Sequence, residues 1–410
     1  MRISTQQGQQ VAINAMIEQQ SELSKVQQQV ATGRKIFKPS EDPVAAAKVV
    51  NLRDTLDTNM QFQDNINAAR ARLTLEEGVM GNVTEVLQRV RELAVMANND
   101  SHTVESRSFI GEEADQLLQE LLALSNSTDS TGEFLFSGSK SKFKPFHQNN
   151  LAEFEYHGDD GQRFLQIGPQ RNIAISDSGT AVFRAIRDGN GVFATLEQEE
   201  NSGSGIIDTG TLNGDYDLGT YAIVFEKIVP DGGHPEIDAY LSYKVINDAE
   251  EVVVPVGTPY RSGASIDFPG VTTSIKGEPE EGDFFVLRPS LNQDVFTTLQ
   301  RFVDILKESK TSDSGRAVLH NELNRSITGI DLALGNVLEL RSNVGARLSA
   351  LDGQEEVNES YNLQIKTILS DVEDLDYAEA VSELNLKLTG LEASQKAFVK
   401  IQGVSLFNYL

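Results

Sequence analysis

The stretch Tyr377-Ala-Glu-Ala-Val-Ser-Glu-Leu-Asn-Leu-Lys-Leu-Thr-Gly-Leu-Glu-Ala-Ser-Gln-Lys-Ala-Phe398 decides how this chain folds. From Tyr377 its apolar positions fall at Val381, Leu384, Leu388, Leu391 and Phe398, in steps of four and three, with Gln395 as the one polar member. That is the spacing of a coiled-coil helix. Burying so few side chains does not offset the entropy lost in ordering the segment, so other helices must hold it. Near the other end Met16, Leu23 and Val30 recur at sevens, with Val26 between the last two. The two ends of the chain are therefore expected to pair.

Working inward from the ends, Thr5 to Thr32 reads as a helix stopped by Gly33, a common residue just past a helix C-terminus. Pro39 and Pro43 force an extended or turned link, and Ser40 or Asp42 is placed to cap a second helix opening at Pro43. That helix continues through Leu52, Leu56, Ile66 and Leu73 to Val90 and Leu93, and a third is predicted from about Glu105 to Ser125. From Phe143 the pattern changes to short alternating runs such as Tyr221–Phe225, Leu241–Ile246 and Phe284–Leu287, which are strands, with one short helical piece from Ala181 to Arg187. Helical periodicity resumes near Asp294 and is most regular from Leu323 to Leu351, where Arg341 is the only break. After Glu355, Asn358 and Asn362, read as polar seam positions left for neighbouring chains to satisfy, it recovers at Ile365. A helix from Arg316 to Val372 would span roughly 85 Å, more than a compact domain needs.

The predicted fold is α+β and multi-domain: a long helical rod and a terminal coiled coil, with an inserted mainly-β domain. Its parts are residues 1–42 (N-terminal helix of the coiled coil), 43–142 (rod, first part), 143–293 (β insertion), 294–372 (rod, second part) and 373–410 (C-terminal helix of the coiled coil). The order of elements places the β part at the far end of the rod, with both termini at the near end.

Composition narrows the function. The 410 residues carry a formal charge of −26, which argues against duplex nucleic acid or an anionic membrane as partner. No apolar run is long enough to insert in a membrane, and the start Met1-Arg-Ile-Ser-Thr5 lacks the apolar core of a cleaved signal peptide, so any export is expected by another route. Absence of cysteine excludes disulfides and thiol chemistry. His102, His147, His157, His234 and His320 are scattered in sequence without metal-ligand spacing and read as surface or turn residues. Asp188-Gly189-Asn190-Gly191 carries only a fragment of a calcium loop and reads as a solvated turn. Glu278, Glu280, Glu281 and Asp283 read as an exposed acidic turn. With no nucleophile elbow and no phosphate-cradling loop, the expectation is a structural protein, not an enzyme, without cofactor or metal.

Gly33-Arg-Lys-Ile36, Pro39-Ser-Glu-Asp-Pro-Val-Ala-Ala46, Asn343-Val-Gly-Ala-Arg-Leu348, Ser370-Asp-Val-Glu-Asp-Leu-Asp-Tyr-Ala-Glu379 and Ser405-Leu-Phe-Asn-Tyr-Leu410 together resemble the bacterial flagellin superfamily. The start Met1–Thr5, Gly132-Glu-Phe-Leu-Phe-Ser-Gly138 with Pro145-Phe146, and Asp294-Val-Phe-Thr-Thr-Leu299 are similar to its hook-filament junction members. The resemblance implies a structural part of the flagellum: a ring of copies in the axial structure, a neighbouring hook-associated protein on one side and flagellin on the other. It also implies passage, unfolded, through the type III export apparatus, a cytoplasmic export chaperone on the C-terminal segment, and an extracellular destination. The assembly interface is then expected at Met16, Leu23, Val26, Val30, Val381, Leu384, Leu388, Leu391 and Phe398. Leu87–Val95 is similar to a flagellin stretch contacted by an innate immune receptor, with Arg89 and Leu93 at the matching places, although rod packing accounts for the same residues. Two alternatives stay open: a filament or minor flagellin, and an adhesin displayed through the β part.

Overall fold

The computed structural model describes residues 5–149, 153–198, 200–230, 239–308 and 310–403. His234 and most of the two terminal motifs lie outside them. Six helices run in chain order as α1 (Thr5–Thr32), α2 (Pro43–Ala97), α3 (Val104–Ser125), α4 (Val295–Lys307), α5 (Asp313–Glu373) and α6 (Tyr377–Gly403), and the strands fall between α3 and α4. The chain divides into two compact units, one of residues up to Asn65, Ile167–Pro169 and Asp352 onward, the other of Ile66–Gln166 and Gln170–Leu351.

In the first unit α1 ends where Gly33 takes φ +70°, a conformation that favours glycine. The links that follow α1 and precede α6 then hold one another: Lys35 N donates to Glu373 O at 2.7 Å and Leu375 N to Gly33 O at 2.9 Å. Asp42, not Ser40, caps α2, its Oδ1 accepting from Val44 N and Ala45 N at 3.1 and 2.9 Å. The polar gap in α5 is satisfied inside the chain, contrary to the expectation that it serves neighbours. Asn59 Nδ2 donates to Asn358 O and Asn362 Oδ1, Gln63 Nε2 donates to Glu355 Oε1, and Asn358 Nδ2 donates to Ile167 O. Asn358 is buried, and a buried amide demands such partners.

In the second unit α2 contributes Leu73, Met80, Val83, Leu87, Val90 and Leu93 to the core, and α5 contributes Leu319, Leu323, Ile330, Val337 and Val344. α3 packs on α4, whose N-terminus is capped by Asp294 accepting from Thr297 N at 2.7 Å. Arg341, the break in the α5 seam, crosses Gly81 of α2 and donates to Glu77 Oε1 at 2.6 Å. A buried charge cluster ties the Ser176–Asp177 loop down: Arg347 donates through both terminal nitrogens to Asp177, and Asp177 N donates to Glu76 Oε1 at 3.0 Å.

The strands form chiefly a five-stranded antiparallel sheet in the spatial order Val252–Pro259, Tyr240–Asn247, Tyr221–Ile228, Phe284–Pro289, Phe193–Glu197. A smaller sheet built on Ser265–Phe268 and Val271–Lys276 shares its core, where Phe193, Tyr221, Ile223, Phe225, Phe268, Val271, Ile275 and Phe285 meet. The edge strand Val252–Pro259 contains Pro255, ends in Pro259, puts Gly257 at φ +134°, and slips register twice against its neighbour. Such an edge is poorly suited to accept another strand.

Three local expectations are corrected. The short helical piece is a single π-turn, Thr180–Arg184, that sends buried Phe183 against Phe136, Phe146 and Phe296. Asp188 is not in a solvated turn: it is buried and ion-paired with Arg288 at 2.6 Å. Asp283 is likewise buried, accepting from Ser202 N, Gly203 N and Glu280 N, so this member of the acidic group fastens a loop.

Candidate assembly surface

The nine seam residues divide into two sets in the structure. On α1, Leu23 and Val26 are buried and Met16 and Val30 half-buried, facing α6. On α6, Leu384, Leu391 and Phe398 are half-buried, whereas Val381 and Leu388 stand 43% and 38% exposed. The covered stripe of α6 runs through Ala380, Leu384, Lys387, Leu391, Ser394 and Phe398, again in steps of four and three. Lys387 pairs with Glu22, and Ser394 Oγ donates to Gln19 Oε1 at 3.0 Å. The Glu22 carboxylate holds the Lys387 ammonium above its ordinary range. Sequence periodicity caught Leu384, Leu391 and Phe398 but took Tyr377, Val381, Leu388 and Gln395 where the covered stripe has Ala380, Lys387 and Ser394. Ala380 is small enough to let the helices approach, and the Lys387 stem packs while its charge is paired.

α6 thus carries two adjoining apolar stripes that share Leu384, Leu391 and Phe398. One faces α1; the other, with Tyr377, Val381 and Leu388, is open in the single chain. Leu386 and Val399 of α6 and Val11 and Ile17 of α1 are more exposed still, each above 60%. A groove of about 470 Å³ between α1 and α6 is lined by Ile13, Met16, Ile17, Leu391, Phe398 and Val399 together with the polar Gln20 and Gln395. Open apolar faces of this kind mark binding surfaces in soluble proteins.

The segment similar to the receptor-contacted stretch is arranged differently. Leu93 is 1% exposed in the core of the second unit, so it offers nothing to a receptor at the surface. Arg89 is exposed, but its guanidinium is engaged by Glu113 at 2.7 Å and Glu92 at 2.9 Å. Arg89 is accordingly raised above its usual range, first by the Glu113 hydrogen bond. Among the described residues no three histidine, aspartate or glutamate side chains cluster to cage a metal ion, and no described helix is long and apolar enough to cross a membrane. A groove of about 960 Å³ lies at the turns that precede α3 and α5; there His320 contacts Asn98 and Asp100, and His102 Nδ1 stands 2.9 Å from Ser106 Oγ.

The bacterial flagellin N-terminal helical region matches residues 3–141 and the C-terminal helical region residues 327–410, together more than half of the chain. The flagellar hook-associated protein 3 of Salmonella typhimurium is 24% identical over 407 residues, 99% of each chain. A flagellin of Salmonella dublin is 23% identical over 397 residues, covering 94% of this chain and 72% of that one. Among solved structures, hook-associated protein 3 of Legionella pneumophila superposes with a TM-score of 0.74 at 32% identity, covering 79% of this chain and 98% of that one. FlgL of Xanthomonas campestris gives 0.71 at 29% identity, covering 78% and 99%. On this agreement of helices, insertion and sequence, the chain belongs to the flagellar hook-associated protein 3 (FlgL) family.

Proposed function

We propose that this chain forms a layer of the flagellar axis that joins hook to filament, and that α1 and α6 bind the neighbouring copies. The carrying observation is the second apolar stripe of α6, Val381 and Leu388 beside the shared Leu384, Leu391 and Phe398, uncovered in the single chain. End-to-end similarity to hook-associated protein 3 supports its place in the axis. Copies meet head to tail, the contact type that generates rings or helical stacks. The chain travels unfolded through the export apparatus, a cytoplasmic chaperone covers the open stripe beforehand, and the terminal helices order fully only against neighbours.

Replacing Val381 and Leu388 by Asp tests this reading, because both side chains lie on the more open side of α6. The variant should be exported with an unchanged β-sheet signal by circular dichroism, yet leave hooks bare and flagellin shed into the medium. Filaments of normal number and length would refute the proposal. Deleting the gene separates the reading from that of a flagellin, whose loss removes filaments but leaves junction proteins on the hooks.

A further inference from the structure

Two of the histidines that sequence scatters are brought together by a hairpin in the second unit. Strands Phe146–Gln148 and Phe154–Tyr156 pair antiparallel, with His147 directly opposite Glu155. Alternation then puts His157, two residues beyond Glu155, on the same outward face, while Phe146 and Tyr156 turn inward and touch. The His147 and His157 rings stand 5.0 Å apart, centre to centre, at 68°, and both side chains are exposed.

That separation has a chemical meaning. An imidazole nitrogen about 2.05 Å from a tetrahedral zinc puts its ring centre roughly 3.2 Å from the ion, so two such rings stand about 5.2 Å apart. We propose that His147 and His157 form a two-imidazole site for a divalent transition metal of the zinc or nickel class, with water completing the shell. Glu155 Oε2 lies 3.3 Å from His157 Nε2, the carboxylate–imidazole contact that orients a metal-binding histidine and leaves its Nδ1 lone pair for the ion. Glu155 is steadied in turn by Asn149 Nδ2, which donates to its Oε1 at 3.1 Å and to Glu153 Oε2 at 3.0 Å. Glu153 and Glu155 favour a cation here and Lys144 opposes it. With only two imidazoles the site does not depend on a three-ligand cage. A bound ion links the two strands across the hairpin and so stabilises it.

Titrating the full-length chain with zinc chloride in a calorimeter tests the site. The expected result is saturable binding of one ion, weakened about tenfold by Glu155→Gln, lost in His147→Ala/His157→Ala, and unchanged in His102→Ala. Zinc should also raise the thermal midpoint of the native chain and not that of the double variant, whose exposed substitutions leave circular dichroism unaltered. Equal affinity in the double variant, or no saturable binding, overturns the site and leaves an ordinary edge-to-face ring pair.

Discussion

Glu76 of α2 is 1% exposed, and its Oε2 has no hydrogen-bond partner among the described residues. Burial first, then the nearby Asp177 charge, push its carboxyl up to about 8, against the pull of Arg347 and Arg72. Unfolded, the same group titrates near 4.5, so between these values folding must take up a proton. The stability it leaves intact below about 4.5 erodes by up to about 1.4 kcal/mol per pH unit and levels off above 8. Glu76→Gln keeps an acceptor for Asp177 N without the ionisable proton. In urea melts the difference between variant and native chain should therefore grow from pH 5 to pH 8 in favour of the variant. Parallel pH profiles would show that the cost does not reside at Glu76.

Helix existence was legible in the spacing of apolar residues: α1, α2, α3 and α5 lie within a few residues of where Thr5–Thr32, Pro43, Glu105–Ser125 and Arg316–Val372 placed them. What could not be read was which face meets which partner. A period of 3.5 fixes a stripe, but Val381 and Ala380 each begin a stripe of the same period, and only packing chooses between them. Partners distant in sequence were equally hidden. Asn59 with Asn358, Asp188 with Arg288, and His147 with His157 come together through topology or register, which local pattern does not encode. Capping, being local, was readable at α2, where Asp42 is one of the two residues expected to cap it; the cap of α4 is Asp294. Its removal by Asp294→Ala should cost about 1 kcal/mol, measurable as a lower denaturation midpoint of the helical part with the sheet spectrum unchanged.

Across the whole molecule, stability is expected to be uneven. The sandwich core holds Phe193, Phe225 and Phe285 almost free of solvent, whereas among the described residues of α1 only Leu23 and Val26 are buried apolar side chains. Amide exchange of the unassembled chain should accordingly be fast along α1 and α6 and slow in Tyr221–Ile228 and Phe284–Pro289, with the helices becoming protected on assembly. Equal protection in both would mean that the terminal pair is complete without neighbours. In the axial layer proposed above, copies would bring their β parts close to one another. Pro255, Gly257 and the register slips of Val252–Pro259 would then act as insulation. An edge broken in this way resists zipping onto a neighbouring sheet, which would leave joining to the terminal helices.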